Sequence, residues 1–223
     1  MRIAFFGGSF DPPHRGHLAI AEAAWRRLAL DEVWMAPAGA QPLKLDGQAT
    51  SYDDRLAMVK LAVAGRPHVV ASSIDAPRSD GRPNFTIDVL TAIRATLQPA
   101  DRLFFLLGAD AFLSLREWHR SAELPFACEL VVAGRPGFSV EDLAAALPEG
   151  ISAEKSGRDT SPELVAWELR DKDGKWSRLY LMPDLHEDIS ATDIRAAVAG
   201  EESAEGVLSP AVLRYIQEKG LYR

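Results

Sequence analysis

Short, nearly uninterrupted apolar runs alternate with amphipathic stretches along the first 135 residues of the chain. Arg2 to Phe6 has the composition of a buried strand and runs straight into two glycines. From His17 to Leu30 the apolar residues Leu18, Ala21, Trp25 and Leu28 recur at helical spacing and share one face. Further strand-like runs cover Glu32 to Ala36, His68 to Ser72, Arg102 to Leu107 and Glu129 to Val132, with helical patterns at Tyr52 to Ala64 and Phe85 to Leu97. Strands that are apolar at successive positions, rather than at every second one, are covered on both faces, which is the mark of a parallel sheet. Helices between such strands predict an α/β fold with a doubly wound, mostly parallel sheet, right-handed crossovers and helices on both faces.

The pattern changes after Pro148. Leu164 to Leu169 and Trp176 to Leu181 alternate, and Asp171-Lys172-Asp173-Gly174-Lys175 between them reads as a hairpin turn. Two helical segments, Thr192 to Ala199 and Pro210 to Lys219, close the chain. The expectation is one domain over residues 1–223: a core over 1–147, a β-rich elaboration over 148–182 and a small C-terminal helical part over 183–223. No internal repeat or low-complexity tract interrupts it.

Composition narrows the class. Apolar residues make up 47% and charged residues 26%, enough for a core without disulfides or structural metal. A net charge of −7 argues against a non-specific nucleic-acid surface, so a binder of anionic metabolites must gather its positive charge inside a cleft. With Cys128 as the one cysteine, neither an intramolecular disulfide nor a cysteine metal cluster can form. No apolar run approaches the ~18 residues of a membrane span, and the apolar start is too short for a signal-peptide core, so a cytoplasmic location is expected.

The chemistry concentrates in Gly7-Gly8-Ser9-Phe10-Asp11-Pro12-Pro13-His14-Arg15-Gly16-His17. The string joins the first strand to the first helix, where open α/β sheets bind ligands. Glycines allow close backbone approach to a phosphate, and a helix start offers N–H groups to an anion. Two histidines three residues apart can converge on one side of the turn and donate hydrogen bonds to phosphate oxygens. Each piece has a plain structural reading as turn or cap; the eleven-residue string after a strand does not. A second landmark is Ile189-Ser190-Ala191-Thr192-Asp193-Ile194-Arg195. Ser190 and Asp193 form a capping box that should start a helix, and hydroxyls with a guanidinium one turn inside suit a triphosphate. Gly108-Ala109-Asp110 ends the most apolar strand, where Asp110 is either a ribose-binding carboxylate or part of a helix start.

The first string, through His14-Arg15-Gly16-His17-Leu18, resembles the signature of nucleotidyltransferases that carry a His-x-Gly-His motif. It is most similar to the bacterial nicotinate-nucleotide adenylyltransferases, which have an Ile-Ser-x-Thr-x-Ile-Arg motif late in the chain. The resemblance implies a Rossmann-like core and adenylyl transfer from ATP to nicotinate mononucleotide. It implies that Gly7, Gly8, Ser9, Phe10 and Gly16 hold ATP, with His14, His17 and Arg195 catalytic and His17 on the reacting α-phosphate. Ile189, Ser190, Thr192 and Arg195 inherit the ATP role of the second motif, joined by Gly108 and Asp110.

For the acceptor, the resemblance implies Trp118, in a Leu-x-x-Trp-His setting, packed on the pyridine ring. Thr86, in Asn84-Phe85-Thr86-Ile87-Asp88, would hold the ring carboxylate through its backbone. Ser9, Phe10 and Arg135 would complete this side. The family's usual Pro-Pro-His-Lys is Gln41-Pro42-Leu43-Lys44 here; Leu43 replaces a histidine, while Lys44 keeps a positive charge for phosphate on both the ATP and acceptor sides.

The acceptor phosphate is already ionised at neutral pH, so no general base is needed, and catalysis should come from positioning and charge stabilisation. Magnesium would bridge the ATP phosphates and be held by substrate oxygens and water, with no protein residue assigned as a metal ligand. Nicotinamide mononucleotide, phosphopantetheine, flavin mononucleotide and, with CTP, glycerol phosphate are other acceptors of the superfamily. A non-catalytic nucleotide sensor on the same fold is the rival from another class.

Overall fold

A computed structural model of the chain describes residues 1–39, 50–134, 140–158, 160–183, 185, 189–200 and 204–222. Lys44, with the whole Gln41–Lys44 segment, and Arg135 lie outside them.

The strands are β1 (Arg2–Gly8), β2 (Glu32–Pro37), β3 (Val69–Ala71), β4 (Arg102–Gly108), β5 (Glu129–Ala133), β6 (Ser152–Lys155), β7 (Val165–Arg170) and β8 (Trp176–Met182). They form one sheet in the order β3-β2-β1-β4-β5-β8-β7-β6. From β3 through β8 neighbouring strands pair in parallel, whereas the β8–β7 and β7–β6 pairings are antiparallel. The 164–181 region is therefore the expected hairpin, and its second strand sits inside the sheet against β5. The turn closes with Asp171 N–H donating to the Lys175 carbonyl at 3.1 Å, and Gly174 at φ 81° supplies the left-handed residue.

The helices are α1 (Arg15–Arg27), α2 (Tyr52–Val63), α3 (Thr86–Thr96), α4 (Ala109–Leu113), α5 (Leu124–Ala127), α6 (Val140–Ala146), α7 (Ala191–Ala199) and α8 (Pro210–Lys219). Successive strand residues point to opposite faces, and the core accordingly divides in two. Ala4, Phe6, Val33, Met35, Phe104 and Leu106 pack with apolar residues of α1, α2, α7 and α8. Phe5, Leu103, Phe105 and Leu107 pack with α3 to α6 on the other side. The apolar runs of β1, β4 and β5 are continuous because both faces are covered, giving a Rossmann-like doubly wound α/β fold. The short helices α4 and α5, with 5 and 4 residues, span too little chain for helical periodicity to show in sequence. No helix among the described residues is long and apolar enough to cross a membrane.

Candidate active site

Strand order reverses between β1 and β4: one half of the sheet winds outward from β1 to β3, the other from β4 onward. Ligands of open α/β sheets sit beyond the carboxyl ends of the strands at such a point. The register brings Gly7 and Gly8 of β1 into line with the end of β2, and sets Gly108 of β4 opposite Ala133 of β5. The carboxyl edge is thus made of residues with almost no side chain, and a cleft of about 450 Å³ opens above it. A Cβ on Gly108 would meet no protein atom within 4 Å, so that position faces open space. A Cβ on Gly8 would come within 3.1 Å of the Phe10 ring, so any larger residue would press on that side chain.

Helix α1 begins two residues ahead of the periodic apolar face, because His14 acts as its N-cap in an extended conformation. The first helical turn then carries Gly16 and His17 to the cleft, where the helix dipole favours negative charge. The two histidine rings lie 3.7 Å apart, centre to centre, at 32°. The His14 backbone N–H donates to His17 Nδ1 at 3.2 Å. An accepting Nδ1 leaves Nε2 as the proton-bearing nitrogen of a neutral ring. Burial, and then the neighbouring His14, push the His17 pKa down to about 3. The ring also meets Phe10 edge-on at 4.9 Å. His17 is therefore a fixed neutral donor across ordinary working pH.

Helix α7 closes another wall. Ser190 Oγ accepts from the backbone N–H groups of Thr192 and Asp193, at 3.1 and 3.4 Å, which is the serine half of the capping box that the sequence predicts. Ile189, Ser190 and Asp193 line the cleft together with Asp110, the second residue of α4. Arg195 and Thr192 do not line it: Arg195 donates to the Asp11 carbonyl at 2.9 Å and to Thr192 Oγ1 at 3.1 Å. The guanidinium thus ties the second motif to the first.

Of the acceptor residues, Phe10 lines this cleft, whereas Thr86 and Trp118 lie outside its lining, on the α3 and α4 side. Thr86 is the first residue of α3. Trp118 is half-buried, donates from Nε1 to Ser114 Oγ at 3.1 Å and packs 6.1 Å from the Phe105 ring. Two further contacts join α3 to the Trp118 turn: Phe85 stacks on His119 at 4.0 Å, and Arg120 pairs with Asp88 at 3.5 Å. Ser9 leaves the strand on the loop side, with its carbonyl engaged by Arg55 at 3.0 Å.

Arg55 is the residue that sequence reasoning missed. It is 3% exposed, and its guanidinium donates to the carbonyls of Ser9, Ala38 and Thr50. A signal was present: Arg55 occupies the same helical face as Met58, Val59, Ala62 and Val63, a cation at an apolar position. The Asp75 carboxyl, beside the same helix, is pushed up to about 6 by burial, against hydrogen bonds from Asn84 and the Gly39 backbone.

The cytidylyltransferase-like family model matches residues 5–197, which span every element described above except the start of β1, the end of α7 and all of α8. A probable nicotinate-nucleotide adenylyltransferase of Chromobacterium violaceum is 39% identical over 222 residues, covering 100% of this chain and 99% of the relative. The chain belongs to that family. A second member, the probable nicotinate-nucleotide adenylyltransferase of Laribacter hongkongensis, is 40% identical over 99% of this chain and 94% of its own. The chain is thus a nucleotidyltransferase by family, and its fold is that of solved members. A Plasmodium falciparum nicotinic acid mononucleotide adenylyltransferase complexed with NaAD superposes with a TM-score of 0.71 at 18% identity, covering 99% of this chain and 97% of its own.

Proposed function

We propose that this protein transfers the adenylyl group of ATP to the phosphate of nicotinate mononucleotide, giving deamido-NAD and pyrophosphate in NAD biosynthesis. The observation that carries the reading is the neutral, proton-bearing His17 ring beside His14 on a floor of Gly7, Gly8, Gly108 and Ala133. The family relatives of full length carry the substrate assignment.

An acceptor phosphate oxygen attacks the α-phosphorus in line, and the bond to the pyrophosphate oxygen breaks with no covalent enzyme intermediate. The developing negative charge on the α-phosphate meets a hydrogen bond from His17 Nε2–H and the positive end of α1, both in place before reaction. His14 and Lys44 serve the departing β- and γ-phosphates, while Ser190 and the start of α7 give further donors; Arg195, paired with Thr192, supports the loop by bracing the Asp11 carbonyl. Asp110 receives the ribose hydroxyls. Trp118 stacks on the pyridine ring, the Thr86 backbone holds its carboxylate, and Ser9, Phe10 and Arg135 border the two substrates. Since His17 holds its proton in the ground state at neutral pH and gives up none in the step, the reaction needs no acid–base cycle.

Magnesium, when bound with ATP, would supply positive charge against the pyrophosphate that leaves. Such an ion would be held by phosphate oxygens and water, with no protein residue assigned as its ligand.

The test is pyrophosphate release from ATP and magnesium, with nicotinate or nicotinamide mononucleotide offered separately. A strong preference for the nicotinate form supports the proposal. Equal use of both keeps adenylyl transfer and discards the roles of Thr86 and Trp118 in selection. No release with either form overturns the proposed reaction.

A further inference from the structure

The segment after α8 reaches back to the loop that carries the two histidines. Tyr222 donates its hydroxyl to Asp11 Oδ1 at 2.6 Å. Asp11 is 2% exposed, so its carboxylate depends on protein donors. The three residues before Pro12 are each held by a different part of the chain. The Ser9 carbonyl accepts from Arg55 of α2, at 3.0 Å. The Asp11 carbonyl accepts from Arg195 of α7, at 2.9 Å. Between them Phe10 stands at φ 46°, a left-handed conformation that a side-chain-bearing residue adopts only under outside constraint. Its buried ring is wedged edge-on between Phe6 at 5.3 Å and His17 at 4.9 Å.

These restraints form one network. The Tyr222 hydroxyl also meets the Thr50 side chain and lies 3.9 Å from Met58 Sδ. Thr50 in turn gives its carbonyl to Arg55 Nε at 3.2 Å. The charge of Arg55 acts on the Asp11 carboxylate, while Arg195 holds the carbonyl of the same residue. Burial and the Asp11 contact keep the phenol protonated far above neutral pH, so Tyr222 is a permanent donor.

We infer that Tyr222 is a positioning residue for adenylyl transfer: by holding the Asp11 carboxylate it fixes the strained Phe10 turn against which the His17 ring rests. The inference rests on the proposed function. Without the hydroxyl, Asp11 must find another donor, the turn relaxes, and the paired histidines move, His17 relative to the α-phosphate and His14 relative to the pyrophosphate. Misplacement by about 1 Å costs up to ~10²-fold in rate.

The experiment is steady-state kinetics of Tyr222→Phe, with a thermal melt of each protein and calorimetric binding of inorganic pyrophosphate. The expected result is a kcat about 10-fold lower, an unchanged KM for nicotinate mononucleotide, weaker pyrophosphate binding and a fully folded protein at the assay temperature. Asp11→Asn keeps an acceptor oxygen and should retain more turnover than Asp11→Leu. Adding Tyr222→Phe to Asp11→Leu should cost nothing further in kcat, because the pair acts as one unit. A wild-type kcat in Tyr222→Phe, losses that multiply in the double variant, or a fall in turnover that merely tracks the folded fraction each overturns the inference. Should the wild-type protein itself fail to use nicotinate mononucleotide, the proposed reaction falls alone. Pyrophosphate affinity then decides the role of Tyr222, and equal affinity in wild type and variant defeats it.

Discussion

At the scale of single residues, the state of His17 governs the chemistry. A ring with its pKa near 3 does not titrate where the protein works, so its NMR signals in the free protein should stay flat from pH 8 to 5. A midpoint inside that range would contradict the neutral donor. The same depression has a signed effect on stability. Below the ordinary histidine pKa of about 6.5 the unfolded chain binds a proton that the folded one refuses. This site's contribution is therefore intact above about 6.5 and is lost as pH falls toward 3. His17→Ala should lower kcat by on the order of 10²–10³, as the loss of a preorganised donor does; near-normal turnover would remove His17 from the mechanism. Trp118→Ala should raise the KM for the acceptor and leave that for ATP unchanged, since Trp118 packs on Phe105 away from the phosphate cleft. A shift in the ATP constant instead would make Trp118 a purely structural residue.

Among the elements, three helices converge on one loop. Helix α1 presents its amino end, α2 holds the loop from behind through Arg55, and α7 reaches it through Arg195. Ser190→Ala removes the side-chain acceptor for two α7 amides and should cost about 1 kcal/mol in denaturant unfolding. A larger loss of ATP affinity than of stability would show that the helix start, rather than the fold, is what Ser190 serves. The segment between β3 and α3 is pinned through Asp75, which accepts from Asn84 Nδ2 at 2.9 Å. With its pKa raised to about 6, Asp75 disfavours the fold progressively as pH rises from about 4 to 6. Asp75→Asn lacks that ionisation, so its Tm relative to wild type should be higher at pH 7.5 than at pH 4. A difference independent of pH would rule out the buried charge as the cause.

On the scale of the whole molecule, we propose that residues 1–223 are a single domain. The sheet runs without a break from β3 to β6, and α7 and α8 cover the same face as α1 and α2. Tyr215 of α8 donates to Asp54 of α2 at 2.8 Å, joining the late helices to the early half. Such a chain should melt in one transition. ATP at a hundred times its dissociation constant adds about 2.7 kcal/mol to stability, which raises Tm by roughly 5–10 °C. Two separate melts, with only one shifted by ATP, would divide the chain into two domains.

The alternation of apolar runs and amphipathic stretches determined the α/β class and the parallel sheet, because burial on both faces imprints itself on every strand residue. The Gly7 to His17 string and the Ile189 to Arg195 motif marked the cleft walls for a local reason: glycine, cap and histidine spacing act within a few residues. Tertiary structure alone decided the rest. Strand β8 lies inside the sheet because pairing with β5 joins residues almost fifty positions apart, a choice that no hairpin pattern encodes. His17 became a neutral donor through enclosure by Phe10 and His14, and its pKa follows from that burial, not from residue type. Arg55 and Tyr222 meet the loop from 46 and 211 positions away. Their roles exist only once the chain has folded, because a buried carbonyl or carboxylate takes its donor from whatever the fold brings near.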